Sequence, residues 1–240
     1  MSFTIERALA EEPLREDLTE LAEPWIIDSD VGCSWSFVYP TVLEPEAEAV
    51  QRRRALAAVG RALSGLAVLE RNPKLIPLDL IPRSGFAVPE FEARAREMDF
   101  RDLMAKLEAH AGDFMNMDMH LWLYLHVREI FGYIEHRVIR SGAIVFLYSD
   151  EFEPHLRLTI FFTHGLFAPW IYDYDNRRVA RYNRPTLRRI LGTLNEALPE
   201  WEKSWEGQDY ERMRPDGYEL PPPAPDEDDE PWEDWMGAID

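Results

Sequence analysis

The sequence predicts an α+β fold, with a helical N-terminal two-thirds packed on a C-terminal antiparallel β-meander of three to four strands. Three observations lead there. Helical and strand periodicities are segregated along the chain instead of alternating, which argues against a parallel α/β sheet. Beyond Gly142, four short runs rich in β-branched and aromatic residues are separated by turn signals. With 46% hydrophobic and 12% aromatic residues in 240, the chain can bury a sizeable core.

Taken in order, residues 14–22 read as a short acidic helix ended by Pro24. Trp25-Ile26-Ile27 and residues 34–39 read as strands, separated by Asp28-Ser29-Asp30 and Gly32. Residues 46–70 form the first long helix, because Leu56, Val59, Leu63 and Leu66 recur at helical spacing and Glu46 and Glu48 suit its positive N-terminal end. Residues 75–81 alternate around Pro77 and stop at Pro82, as an edge strand or extended connection does.

A helical stretch is expected over 89–139, with breaks near Asp99 and Gly112. Its last part, 116–139, is apolar almost all round through Leu121, Trp122, Leu123, Leu125, Val127, Ile130, Phe131 and Ile134, which reads as a helix through the core. Strands are expected at 143–148, 156–163, 166–174 and 178–182, with turns at 149–154, His164-Gly165 and Asp175-Asn176. Asn183 reads as an N-cap and Pro185 as a first-turn residue of a helix running to about Leu198, followed by a short Trp-bearing helix over 199–206. A single compact domain is thus expected over 1–206. Residues 207–240 are expected to form a disordered acidic tail containing Pro and Trp.

The tail reading rests on charge. The chain carries 45 acidic and 26 basic side chains, a formal net charge of −19. Nine acids and no Lys or Arg lie in residues 219–240, and removing them leaves −10 for residues 1–218. The same segment contains Pro221-Pro222-Pro223-Ala224-Pro225, which favours extended polyproline backbone. Its acids Asp226, Glu227, Asp228, Asp229 and Glu230 precede Trp232 and Trp235, an acidic-hydrophobic pattern in which charge steers and indoles anchor.

Several functional classes lose ground on composition alone. An acidic balance disfavours direct nucleic-acid binding, since phosphate neutralisation supplies most of that affinity. The longest apolar runs fall short of the roughly 18–20 residues that span a bilayer. The N-terminus lacks the basic start and apolar stretch of a secretory signal, and a lone Cys33 forms no internal disulfide, so a cytoplasmic protein is expected.

Candidate chemistry is sparse. Asp28 and Asp30, in a D-x-D after an apolar run, could hold Mg²⁺ or Mn²⁺; as a turn cap they need no metal. His126 and Glu129 would share a helical face, but no second such pair exists, and His120 stands about 600° away from His126 on a helix. Cys33 would need a base beside it to act as a nucleophile; ordinary packing explains it, and a turn explains His164. No nucleophile elbow, phosphate loop or His-Glu-x-x-His is present. The densest basic feature is Arg177, Arg178, Arg181, Arg184, Arg188 and Arg189, placed by this reading on the last hairpin and the start of the next helix. It could be a solvated face, a dock for the acidic tail, or an anion site.

No catalytic constellation is assembled, and no cofactor is expected. The leading expectation is a non-enzymatic acidic protein that neutralises or recruits a basic protein partner, as an immunity protein, antitoxin or DNA-mimicking inhibitor does. The alternative is a divalent-metal enzyme on a phosphorylated or nucleotide-linked substrate, with Asp28 and Asp30 on the metal and the arginines on phosphate.

Overall fold

A computed structural model describes residues 32–40, 44–64, 75–82, 100–130, 133–149, 155–172, 174–207 and 209–221. Its centre is a six-stranded antiparallel sheet in the order β2-β3-β4-β5-β1-β8. The strands are β1 (Cys33–Tyr39), β2 (Leu75–Pro82), β3 (Phe114–Ile130), β4 (Tyr133–Ser149), β5 (Leu156–Phe162) and β8 (Glu202–Gly207). Two-stranded ribbons are made by β6 (Trp170–Ile171) with β7 (Tyr174–Asp175), and by β9 (Met213–Arg214) with β10 (Gly217–Tyr218). Helix α1 (Pro45–Ser64) packs against both α2 (Phe100–Ala109) and α3 (Arg177–Ala197).

The strand at 34–39, the helix beginning near residue 46 and the edge strand at 75–81 form where their periodicity places them. Cys33, Trp35 and Phe37 alternate into the core along β1, as do Leu156, Leu158, Ile160 and Phe162 along β5. Leu56, Val59 and Leu63 are the buried stripe of α1. Pro77 and Pro82 sit on β2, at one edge of the sheet, where a missing backbone donor is tolerated.

The overall arrangement corrects the expected one: helices do not fill the N-terminal two-thirds, and the sheet is not a C-terminal meander. The largest error lies at 116–139. Residues 116–130 and 133–139 are strand, paired with each other as β3 and β4. Met117, Met119, Leu121, Leu123, Leu125 and Val127 are buried at strict alternation, with Asp118, His120 and His126 between them. The intervening Trp122 and Tyr124 made the run look apolar on every side, although both types favour strands. Strand β4 also runs straight through Gly142, where an added Cβ would meet the Ile139 carbonyl at 3.0 Å and the Leu123 Cβ at 3.2 Å. The pairing register shifts beside this point, between Leu121 and Leu123.

Three more readings change. Residues 166–174 are not one strand but a 3-10 turn (Gly165–Phe167) followed by the small β6–β7 ribbon. Residues 178–182 are helix: α3 starts after Asn176 and passes through Asn183 and Pro185, so Asn183 is interior and caps nothing. Residues 199–206 hold β8 instead of a helix, with Trp205 opposite Trp35 across the β1–β8 pairing.

The packed chain continues past residue 206. Met213 and Tyr218 belong to the core, and Tyr218 meets Trp35 edge to face with ring centroids 5.8 Å apart. Gly217 makes the turn into this contact possible: its φ is +124°, a region closed to most side chains. Among the described residues no helix is long and apolar enough to cross a membrane.

Candidate functional site

Helix α3 is amphipathic with a definite division of labour. Val179, Ala180, Asn183, Leu187, Ile190, Leu191 and Leu194 are buried on one side. Arg177, Arg181, Arg184 and Arg188 follow spacings of four, three and four, so at ~100° per residue they form one stripe flanking that side. Arg178 and Arg189 lie about 100° further round. All six arginines are therefore on one helix, not divided between a hairpin and a helix start.

The ends of the stripe are tied to acids. At the N-terminal end the Arg177 guanidinium donates to both Asp175 oxygens at 2.6–3.0 Å and lies over the Trp170 ring, 5.2 Å from its centroid. That hydrogen bonding holds the Asp175 carboxyl below its ordinary range. At the other end Arg188 pairs with Asp216 of the β9–β10 turn at 3.3 Å. Arg184 stands between. Partial burial and then the Arg188 charge, with Arg181 adding to it, lower its pKa, while Asp216 opposes them. Its Nε is buried with no hydrogen-bond acceptor among the described residues.

Next to Arg177 the β6–β7 ribbon projects aromatic rings. Tyr172 is 57% exposed and Tyr174 46% exposed. Tyr172 also has φ +51°, an uncommon conformation for a bulky residue and one that holds the ring on the outside of the turn. Asn176 fastens the ribbon from beneath, its Nδ2 donating to the carbonyls of Gly165 at 3.1 Å and Ala168 at 2.8 Å. Exposed tyrosines beside a half-buried tryptophan and arginine are the residue types that anchor protein contacts.

A cleft opens elsewhere on the molecule. About 520 Å³ in volume, it is lined by Ser34 and Ser36 of β1, Arg157 of β5, Ser204 and Trp205 of β8, and Tyr210. Its hydroxyls and ring edges could orient a small polar molecule.

The other sequence candidates separate cleanly. Cys33 is buried, burial pushes its thiol up to about 12, and it shares a hydrogen bond with Tyr218, so it is no thiolate nucleophile at neutral pH. His164 is buried, and burial brings its imidazole down to about 4. It precedes the 3-10 turn and is not a hairpin residue. His126 and Glu129 lie on strand β3, so the helical spacing that paired them does not apply. Instead His126 stacks on Tyr182 at 5.2 Å, and its backbone is held by Asn183. Among the described residues no group of three or more His, Cys, Asp or Glu is placed to hold a metal ion. Asp28 and Asp30 lie outside the described residues, as do Asp226, Glu227, Asp228, Asp229, Glu230, Trp232 and Trp235.

The aromatic ribbon and the four-arginine stripe escaped the sequence reading. The signal was present, since 177, 181, 184 and 188 is a helical series, but assigning 178–182 to a strand hid it. No protein-family model matches this chain, and neither a characterised protein nor a solved structure is significantly similar to it.

Proposed function

We propose that this chain is a non-enzymatic acidic binding protein that neutralises or recruits a basic protein partner, in the manner of an immunity protein, antitoxin or DNA-mimicking inhibitor. The observation that supports this reading is where the acidic excess begins. Tyr218 is 2% exposed and packed against Trp35 and Cys33, and of the nine acids of 219–240 the first, Glu219, comes next while the other eight begin at Asp226. The strongest charge is thereby tethered eight residues from a core side chain, where it can raise the encounter rate with a cationic surface.

The test compares the full chain with one ending at Pro221, which keeps Tyr218 in place. Each is used at low salt to isolate partners from the native host, and the captured proteins are identified and then titrated. The full chain is expected to hold a basic protein whose affinity falls as salt rises, and the shortened chain to bind it at least tenfold more weakly. A captured set no more basic than the lysate, or an affinity indifferent to salt, overturns the reading. A rise in melting temperature with Mg²⁺ or Mn²⁺ that Asp28→Ala abolishes would favour the metal-enzyme alternative instead.

A further inference from the structure

One end of the arginine stripe of α3 lies beside the β9–β10 turn, five residues before the described chain ends. Asp216 already touches the stripe through Arg188, and Gly217 rests on Leu187 of the same helix, with its α-carbon facing the Leu187 side chain. Residues 216–221 are fixed in the fold, and from Pro221 to Asp226 the chain reaches up to ~17 Å, enough to bring the first of the clustered acids back to Arg188. From Arg177 to Arg188 the stripe is ~16 Å long. An extended chain covers ~13 Å from Asp226 to Glu230 and ~20 Å from Asp226 to Trp232. Laid from Arg188 towards Arg177, the five acids match the arginines. The two indoles then arrive at the ribbon carrying Trp170, Tyr172 and Tyr174.

Charge points to the same occupant. Arg184 stands beside two other arginines, and its buried Nε lacks an acceptor among the described residues. Carboxylates offset such crowding of arginine charge with charge-assisted hydrogen bonds to the outer guanidinium nitrogens. The exposed rings of Tyr172 and Tyr174 would in turn cover part of Trp232 and Trp235.

We propose that the acidic segment Asp226–Trp235 docks in cis on this face, its carboxylates along Arg181, Arg184 and Arg188 and its indoles on the Trp170–Tyr174 ribbon. The docking does not depend on the existence of a basic partner. If such a partner is bound by the same acids, the contact is a strap that the partner displaces.

The buried Cys33 makes the test direct, because an added cysteine is the thiol that reacts. A fluorophore on Ala238→Cys of the full chain reports tail mobility by time-resolved anisotropy. The expected result is slow rotation with the whole molecule in about 20 mM salt, and release in about 500 mM, as the Debye length falls from roughly 20 Å to 4 Å. Arg184→Glu should release the dye at low salt, and adding Asp228→Arg with Asp229→Arg should restore its slow rotation. Neutralising residues 226–230 to Asn and Gln should also release it; this variant leaves the fold untouched and so covers the case in which Arg184→Glu does not fold. A freely mobile dye in the unmodified chain at low salt overturns the proposal. So does slow rotation that survives Arg184→Glu in a folded protein. Slow rotation that disappears on tenfold dilution would assign the contact to a second copy and overturn docking in cis.

Discussion

Arg52 donates through Nε to the Glu48 carboxylate 2.7 Å away, one turn earlier on α1, and it does so with its own side chain fully enclosed. The pair is more than an intrahelical contact. Arg52 also donates to the Met115 carbonyl and, at 2.8 Å, to Ser149 Oγ, while Ser149 Oγ donates to Glu48 at 3.0 Å. Phe114 closes the other side, its ring centroid 5.4 Å from the guanidinium. One arginine therefore joins α1 to the start of β3 and the end of β4.

Removing one member of a buried pair strands the other, a loss of about 3–5 kcal/mol. Arg52→Ala is expected to lower the unfolding free energy by that amount, read as a fall in the urea midpoint at unchanged slope. The double change Arg52→Met with Glu48→Gln should cost less than the sum of its single changes, because it leaves no lone charge behind. Strict additivity of the two would show that they do not act as a pair.

His164 makes stability depend on pH. Its folded pKa, about 4, lies below its ordinary value of 6.5, so between these limits the unfolded chain binds more protons. Its contribution is complete above pH 6.5 and is lost as pH falls towards 4. A gap of that size corresponds to about 3 kcal/mol. The slope of unfolding free energy across this window should flatten in His164→Leu. An unchanged slope would mean that other groups set the acid sensitivity.

Cys33 and Tyr218 guard each other. The thiol is buried, pushed up to about 12 and hydrogen-bonded to Tyr218, whose own pKa is raised by burial and then by the neighbouring Cys33. A thiol reagent at pH 8 is expected to modify Cys33 only at the rate of global opening. Tyr218→Ala should cost about 3–5 kcal/mol and expose the thiol. A chain ending at Gly217 should be destabilised in the same way. Rapid native-state labelling would contradict this packing.

Asn183 is a polar clamp inside α3. Its Oδ1 accepts from the His126 backbone at 2.9 Å, and its Nδ2 donates to the carbonyls of His126 at 2.8 Å and Leu166 at 3.2 Å. Replacement by Leu leaves those backbone groups unmatched, roughly 1–3 kcal/mol for each one that stays buried. Hydrogen exchange should quicken at the His126 amide before it does in β1. Equal protection in both would show the clamp to be dispensable.

Local pattern was enough wherever a segment has one buried face and polar residues opposite. The helix through Leu56, Val59 and Leu63, the strands at 34–39, 143–148 and 156–163, and the proline-marked edge at 75–81 all follow from spacing that any solvent-facing element must obey. The acidic segment too was plain from composition, and so was the scarcity of catalytic patterns. Tertiary contacts decided the rest. Between 121 and 126 Leu alternates with Trp, Tyr and His, and such a run satisfies helix and strand rules alike. What selects strand is the pairing of Leu121 with Ala143 and Leu125 with Arg137, contacts between residues distant in sequence. Arg177, Arg181, Arg184 and Arg188 became one stripe because the contacts of Asn183 and Leu187 bury the flanking side of a continuous helix. Their spacing picks out a shared face only once that packing has made the segment helix.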